Sequence, residues 1–261
     1  MTGNRRAGIV VQERDYRLLR ELSVMRVVDR EQAKVVAGFG STTRANARLL
    51  ALTRAGLLRR FFLGTTAGGQ KALYTFSTRA AQLVGAAHRG LQRRKDEASA
   101  TDVFVQHQFA LNEVYCALKF RPIPVAGTAF RRWESFDRPL ASSLLPDGYV
   151  ELATPPGILA AFLEIDLGTE RAAVWEQKVR KYLQLAASGE YERQFGNDRF
   201  RVLVIADSER RMHSIRKTVA GITDKIFWFS TFERVRGAAF FGSVWFRSTG
   251  DATLPLIKEM P

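Results

Sequence analysis

The sequence predicts an α/β (α+β) protein with a helical first domain and a second domain built on a mixed sheet. Apolar residues recur at helical spacing near the start of the chain, whereas short apolar strands interrupted by helical stretches dominate from residue 144 onward. A polar stretch at residues 96–101 separates the two patterns. With 261 residues the chain can form two modest cores, and we expect domains at residues 10–95 and 102–255.

The chain is strongly basic, and its charge is unevenly distributed. Its formal net charge is +14. Residues 1–100 hold 19 Lys and Arg against 7 Asp and Glu, a net of +12, and the remaining residues add only +2. This excess predicts a polyanionic partner for the first domain. The sequence has no apolar run of about 18 residues and no apolar signal-peptide core, so we expect a cytoplasmic protein without a membrane partner.

Two short helices are predicted before residue 40. Residues 14–25 carry leucines at helical spacing, and Asp29 is suited to cap a second helix over residues 30–37. The turn Gly38-Phe39-Gly40 then leads to the next helix. The single cysteine, Cys116, excludes an internal disulfide and is expected to be a small buried side chain.

Residues 41–60, STTRANARLLALTRAGLLRR, predict a third helix that runs into a strand. Ser41 or Thr42 can cap this helix, and Gly56 can end it. One side of the helix should be buried because apolar residues recur on it at helical spacing: Ala45, Leu49 and Leu52.

Two extended segments follow, at residues 57–60 and 71–76, joined by a glycine-rich turn at residues 64–69. Helix, glycine stop, strand, turn and strand form the second half of a winged helix-turn-helix. The alternative is an amphipathic helix packed in some other helical domain. The order of the elements favours the winged helix. Residues 78–95 predict one more helix.

A winged helix predicts double-stranded DNA as the partner, and such domains often act as homodimers. Side chains on the third helix would read base edges, since Arg pairs with guanine and Asn with adenine. Side chains at the helix start and on the wing would bind phosphates. The predicted base contacts are Arg44, Asn46 and Arg48, and the predicted phosphate contacts are Thr42, Thr43, Arg59, Arg60 and Lys71.

The second domain is predicted to begin with a helix at residues 102–119. Its phenylalanines and tryptophans fall mostly in apolar strands and are expected in the core rather than in a base-stacking surface. The predicted strands are residues 144–152, 159–167, 200–206, 226–229 and 239–246, and the predicted helices are 171–187 and 208–222.

The first two of these strands form a predicted hairpin that carries three acids. Residues 154–157, Thr-Pro-Pro-Gly, are typical of a turn. In a regular hairpin Ala153 then faces Ile158, and paired residue numbers sum to 311. Asp147 therefore stands opposite Glu164, and Asp166 lies on the same face.

Three converging carboxylates are unfavourable unless a cation or a proton relieves the repulsion. Mg²⁺ binds oxygen ligands of this kind and can activate water against a phosphodiester. The sequence thus gives Asp147, Glu164 and Asp166 as candidate metal ligands. The alternative, a solvated acidic face of a half-exposed sheet, is equally compatible with the pattern.

Pro146-Asp147 and Glu164-Ile165-Asp166 resemble the PD-(D/E)xK signature of restriction-endonuclease-like nucleases. The resemblance implies that Asp147 and Glu164 hold a metal and that a lysine activates water. Asp166 stands where that lysine is expected. Some members of this class move the lysine to the following helix, and the candidates there are Lys178 and Lys181.

The chain as a whole resembles the replication-relaxation family of plasmids and other mobile elements. Four segments match this family: residues 41–60, Pro146-Asp147-Gly148, residues 164–170 and the Lys178–Tyr182 spacing. The resemblance covers roughly residues 12–185 and implies DNA binding linked to plasmid replication or transfer, with replication or transfer proteins as partners. Two functions lead: a DNA-binding protein whose second domain is a nuclease-derived scaffold, and a metal-dependent endonuclease. A third, with a membrane or an acidic protein as the partner, predicts no preference for one duplex sequence over another.

Overall fold

A computed structural model describes residues 9–64, 69–87, 98–140, 143–168 and 170–257. The chain divides into two compact units, residues 1–116 and 117–261. This division differs from the boundary expected at residues 96–101, because the long helix after that segment contributes to the first unit. Its Asn112 donates to the carbonyl of Val27 at 2.7 Å, and its Tyr115 hydroxyl donates to Glu21 at 2.6 Å. Within the described residues, no helix combines the length and apolar character needed to cross a membrane.

The first unit combines helices with a three-stranded antiparallel sheet of order β1-β3-β2. The three predicted helices and both predicted strands are present. β1 was not expected, since two residues are too few to show a strand pattern. The elements are α1 (Glu13–Met25), β1 (Val28–Asp29), α2 (Arg30–Ala37), α3 (Thr42–Arg54), β2 (Leu58–Gly64), β3 (Gln70–Phe76), α4 (Thr78–Val84) and α5 (Ala98–Lys119).

Side-chain caps fix where these helices begin. The Asp29 carboxylate accepts from the backbone N–H of Gln32 at 2.8 Å, and the Ser41 hydroxyl accepts from that of Arg44 at 3.2 Å. Both predicted caps are confirmed, and Ser41 rather than Thr42 caps α3. The helix predicted over residues 78–95 ends at Val84, because Gly85 takes a left-handed conformation that closes its last turn. Residues 88–95 of that prediction lie outside the described residues.

The core of the first unit lies between α1, α2, α3 and the sheet. The apolar side of α3 is fully buried, as predicted, and so are the leucines of α1. Cys116 is also buried, as expected for a small core side chain. The residues with no exposed surface include Leu18, Leu19, Leu22, Ala45, Leu49 and Leu52.

The second unit is a seven-stranded mixed sheet of order β10-β9-β8-β7-β6-β5-β4. β6, β7 and β8 are parallel, and the other neighbours are antiparallel. The elements are β4 (Ala129–Glu134), β5 (Gly148–Thr154), β6 (Gly157–Asp166), α6 (Ala172–Ala187), α7 (Glu190–Phe195), β7 (Arg201–Ala206), α8 (Glu209–Ala220), β8 (Phe227–Thr231), a 3₁₀ helix (Gly237–Phe241), β9 (Ser243–Arg247) and β10 (Thr253–Pro255).

Several boundaries differ from the sequence prediction. The first strand of the hairpin begins at Gly148 rather than at residue 144. The strand predicted over residues 239–246 is divided between the 3₁₀ helix and β9. Apolar composition does not distinguish a buried 3₁₀ turn from a strand, since both place large side chains in the core. The aromatic side chains of β8 and of the 3₁₀ helix are buried as expected: Phe227, Trp228, Phe229, Phe240 and Phe241.

The register of the β5–β6 hairpin is the predicted one. Ala153 pairs with Ile158, and the pairing continues to Gly148 opposite Leu163. Thr154 and Gly157 also pair, so only the two prolines form the loop, and the Thr154 hydroxyl donates to the Gly157 carbonyl at 2.6 Å. The turn therefore sets which side chains share a face at the other end of the hairpin.

Candidate functional site

Asp147 and Glu164 meet at the open end of the β5–β6 hairpin. Asp147 directly precedes β5, and its backbone N–H donates to the Leu163 carbonyl at 3.2 Å. Its side-chain oxygen Oδ2 accepts from the backbone N–H of Ile165 at 2.6 Å. The regular pairing ends at Gly148 opposite Leu163, and these two bonds hold Asp147 beside the end of β6, close enough for its charge to act on Glu164.

Glu164 is buried and is held by two side chains of α6. Lys178 Nζ donates to Oε2 at 2.7 Å, and the Tyr182 hydroxyl donates to Oε1 at 2.5 Å. Lys178 and Tyr182 lie four residues apart on one face of the helix, so both reach the same carboxylate. Lys178 also pairs with Glu170 Oε1 at 2.8 Å. Of the two alternatives left open by the sequence, the solvated acidic face is wrong, because Glu164 and Asp166 are each only 1% exposed.

Burial controls the protonation of this cluster. It raises the pKa of Glu164 to about 7; the Lys178 ammonium opposes this rise, and the Asp147 carboxylate adds to it. Burial alone would lower the pKa of Lys178, but the carboxylates of Glu164, Asp147 and Glu170 hold it above its usual value. Burial and the Glu164 charge raise the pKa of Tyr182. Near neutral pH, Lys178 is therefore a cation and Tyr182 a hydroxyl donor, while Glu164 is close to its titration point.

Asp166 is not part of this cluster. Arg211 of α8 binds both of its oxygens, through Nε and Nη2, at 2.7 Å each. Trp175 Nε1 donates to Oδ2 at 2.8 Å, and the Gly168 N–H donates to Oδ1 at 2.7 Å. Burial opposes ionisation of Asp166, but these donors, Arg211 foremost, hold its pKa below the usual range. Its contacts attach the end of β6 to α6 and α8, and they leave no oxygen directed at Glu164.

Two of the three predicted magnesium ligands, Glu164 and Asp166, are bound by protein donors in this arrangement. Both oxygens of Glu164 are already bound, and Asp166 is saturated by other donors. Within the described residues, no three His, Cys, Asp or Glu side chains form a group that could hold a metal. One buried oxygen in this region, Glu170 Oε2, accepts no hydrogen bond. Lys181 donates to the Ser143 carbonyl at 2.8 Å and does not join Glu164.

In the first unit, the outward side of α3 exposes Thr43, Arg44 and Asn46. Arg48 differs from the prediction that it would be free to read a base. Its Nε donates to Asp15 Oδ1 at 2.9 Å, its Nη2 also binds Asp15 Oδ2, and Nη2 donates to the Val10 carbonyl at 2.6 Å. Asp15 has no exposed surface, so it needs this cation. Arg48 therefore fixes α3 against α1.

The remaining predicted phosphate contacts are divided among several surfaces. Lys71 forms an ion pair with Asp29, and Thr42 accepts a hydrogen bond from Lys34 at 3.2 Å. Arg59 and Arg60 are both exposed, but they are consecutive residues of β2 and point to opposite faces. The Arg60 guanidinium lies 5.2 Å from the ring centre of Phe62.

Arg14, an exposed residue at the start of α1, was not among the predicted DNA contacts. It lines a cleft of about 450 Å³ together with Arg44. The Arg14 guanidinium lies 6.0 Å from the ring centre of Phe39 in the same cleft. No local pattern reveals this pairing, because Arg14 and Arg44 belong to different helices.

Comparison with known proteins gives a family but no close relative. No curated protein and no solved structure matches the chain. A model of the family described as replication-relaxation matches residues 17–198, which is more than half of the chain. The match begins in α1 and ends after α7, so it includes both α3 and the Asp147–Glu164–Lys178 cluster. The chain belongs to the replication-relaxation family.

Proposed function

We propose that this protein binds duplex DNA of a plasmid or mobile element through its first unit and acts in replication or transfer of that element. Membership of the replication-relaxation family supports the role. The exposed side of α3 is the observation that carries the DNA-binding proposal. In this proposal the first unit is a winged helix, α3 is its recognition helix and β2–β3 is its wing.

The polarity of α3 supports insertion into a major groove. Its inward side has no exposed surface, whereas Thr43, Arg44 and Asn46 are exposed near its start. The major groove, about 12 Å wide, admits one helix, with its first turns nearest the bases. Arg44 and Asn46 are then the base-reading residues. Thr43 lies in the first turn, where backbone N–H groups favour a phosphate.

Cationic side chains around α3 would position the helix on the phosphate backbone of the DNA. Arg14 lies beside Arg44 in one cleft, and Arg59 and Arg60 are exposed on the adjoining hairpin. Arg48 and Lys71 have a structural role, because each forms an ion pair with a buried carboxylate of the first unit, Asp15 and Asp29 respectively. We therefore assign DNA contact to Arg14, Arg44, Arg59 and Arg60, and we assign a structural role to Arg48.

The test begins with selection of a preferred duplex from a random pool, followed by fluorescence anisotropy at several salt concentrations. Arg44→Ala with Asn46→Ala should weaken binding to the selected duplex at least about tenfold, because each lost bidentate base contact costs about 1–3 kcal/mol. Arg60→Ala should reduce the salt slope by about 0.9. Arg20→Ala, on another side of α1, is the matched control. Unchanged affinity and salt slope in the α3 double variant would show that α3 does not contact DNA.

A second candidate function is metal-dependent cleavage of DNA by the second unit, with a restriction-endonuclease-like, PD-(D/E)xK-type site. The observation that favours it is the 2.7 Å contact between Lys178 and Glu164, which supplies from α6 the lysine that the signature lacks at residue 166. Asp147 and Glu164 would hold Mg²⁺, whose chemistry in such sites is to polarise a phosphate and activate water. The observed contacts leave Asp166 outside that set, and no catalytic step follows from the arrangement as it stands.

Incubation of supercoiled DNA with Mg²⁺ or Mn²⁺ distinguishes the two functions. Nicking that disappears in Asp147→Ala, Glu164→Ala and Lys178→Ala, but persists in Lys181→Ala, would support the endonuclease. Intact DNA under conditions of firm binding would support a nuclease-derived scaffold. Metal-dependent nicking that survives all of these substitutions would point to a contaminating nuclease.

A further inference from the structure

A second cleft lies at the opposite end of the sheet from Glu164. It has a volume of about 900 Å³, near the upper end of the range of about 300–1,000 Å³ usual for ligand sites. Most of its lining is apolar and aliphatic, contributed by the start of β6 and by the segment after β9, including Ile158, Leu159, Leu254 and Leu256. Leu159 and Glu164 are five residues apart on β6, a separation of roughly 16 Å in a strand. The cleft is therefore distinct from the acidic cluster.

Two arginines stack on one tryptophan in this cleft. The guanidinium of Arg201 lies 4.4 Å from the ring centre of Trp228, and that of Arg247 lies 4.9 Å from it. Desolvation lowers the pKa of both arginines, and the charge of Arg247 lowers that of Arg201 further. Two like charges thus share one partly buried aromatic platform.

Neither arginine forms an ion pair with a carboxylate among the described residues, although the Asp224 carboxylate acts on Arg247 through space and opposes the lowering of its pKa. Arg201 donates to the Leu256 carbonyl, and Arg247 donates to the Asp224 carbonyl at 2.9 Å. The acid that lines the cleft, Asp198, pairs with the exposed Arg199 at 3.2 Å instead. Ion pairs elsewhere in this unit satisfy cations such as Lys178 and Arg211 with carboxylates. The cleft therefore has two guanidinium groups without a directly paired carboxylate beside an apolar wall.

The backbone at this site is strained. Ile226 lines the cleft and has φ of 53°. A β-branched residue rarely adopts this conformation, and residues strained in this way are found mostly at ligand sites and switches. The Ile226 carbonyl accepts from Val202 N–H at 2.9 Å, so the strained residue joins the start of β8 to β7 at the residue after Arg201.

We propose that this cleft binds a peptide segment of a partner protein in which carboxylates alternate with bulky apolar side chains. Charge complementarity identifies the occupant: Arg201 and Arg247 take the carboxylates, while Ile158, Leu254 and Leu256 take the apolar side chains. A nucleic acid strand fits less well, because its charged backbone would face a mainly aliphatic wall. The assignment is independent of the DNA-binding proposal.

The test uses a fluorescein-labelled hexapeptide, Leu-Asp-Leu-Asp-Leu-Phe, with the full-length protein. Binding is measured by fluorescence polarisation. The affinity of this peptide is compared with that of two control peptides, one with asparagine in place of each aspartate and one with serine in place of each leucine. Both substitutions should weaken binding at least tenfold. Arg247→Gln and Arg201→Gln should do the same, whereas Arg199→Gln, on the same rim but already paired with Asp198, should leave affinity within twofold.

Ile158→Glu tests the apolar wall without disturbing the hydrophobic core, since the Ile158 side chain is 36% exposed. It should abolish peptide binding while affinity for duplex DNA stays unchanged. The proposal is overturned if the asparagine peptide binds as tightly as the aspartate peptide, or if Ile158→Glu and Arg247→Gln both bind like the original protein. Displacement of the peptide by a single-stranded oligonucleotide, or by oleate at lower concentration than by unlabelled peptide, would also overturn it in favour of those ligands.

Discussion

Replacement of Arg48 separates a structural role from a DNA-reading role. Arg48 binds Asp15 through two nitrogens, and Asp15 has no exposed surface. Removal of one partner from a buried ion pair typically costs about 3–5 kcal/mol. Asp15 keeps one donor, the Gln12 backbone N–H at 2.7 Å, and the Arg48 side chain is 19% exposed. Both facts reduce the loss, so we expect Arg48→Ala to lower the free energy of unfolding by about 2–3 kcal/mol.

Urea denaturation with two optical probes measures this loss. The four tryptophans, at positions 133, 175, 228 and 245, all belong to the second unit, so their fluorescence reports that unit alone. Far-ultraviolet circular dichroism reports the helices of both. We expect Arg48→Ala to lower the dichroism midpoint, and Asp15→Asn combined with Arg48→Ala to recover part of the loss, because the double variant leaves no buried charge.

The DNA affinity of the same variant completes the test. Under conditions where Arg48→Ala remains folded, its affinity for the selected duplex should stay within about threefold, whereas Arg44→Ala should lose more. A variant with unchanged stability and a large loss of DNA affinity would refute the structural assignment. Arg48 would then be a base contact, as the sequence alone suggested.

Three further outcomes are expected in the second unit. Burial raises the pKa of Glu164 from 4.5 to about 7, so between these pH values the folded state holds a proton that the unfolded state releases. The melting temperature detected by fluorescence should therefore fall as pH rises through that interval, and Glu164→Gln should remove this fall. Tyr182→Phe should cost about 1–2 kcal/mol in urea denaturation, since a buried carboxylate loses a donor; an unchanged midpoint would contradict the role of that hydroxyl. Arg211→Met should cost about 3 kcal/mol by the same measurement because Asp166 stays buried, while Arg210→Met, on the exposed side of α8, should cost less than about 0.5 kcal/mol.

Local patterns predicted the features that depend on neighbours in sequence. The cap at Ser41, the buried side of α3 and the hairpin register all follow from residues within one turn or one loop. Because side chains in a strand alternate strictly, the turn at Pro155-Pro156 was enough to predict the hairpin register as far as Gly148 and Leu163, and so to bring Asp147 near Glu164 at the far end of the hairpin. Of the acid–lysine–tyrosine contact, the sequence analysis contained only the Lys178–Tyr182 spacing.

Contacts between distant residues could not be read in this way. Arg44 and Arg48 lie one turn apart and look equivalent in sequence, yet Arg48 faces a buried carboxylate 33 residues earlier in the chain. Asp166 similarly meets Arg211, 45 residues later, and therefore leaves the acidic cluster that the hairpin pattern assigned to it. Such pairings depend on how whole helices and strands pack together. The spacing of apolar residues within one helix or strand does not predict them.

The single buried thiol at position 116 has a practical consequence for following this protein on DNA. Maleimide reagents modify accessible thiolates, and Cys116 is only 4% exposed in the folded chain. A cysteine introduced at the exposed Thr43 or Arg59 would therefore be the one readily labelled position. A fluorophore or a cross-linker attached at either site could report the approach of α3 and of the β2–β3 hairpin to a duplex separately, without prior removal of a native cysteine.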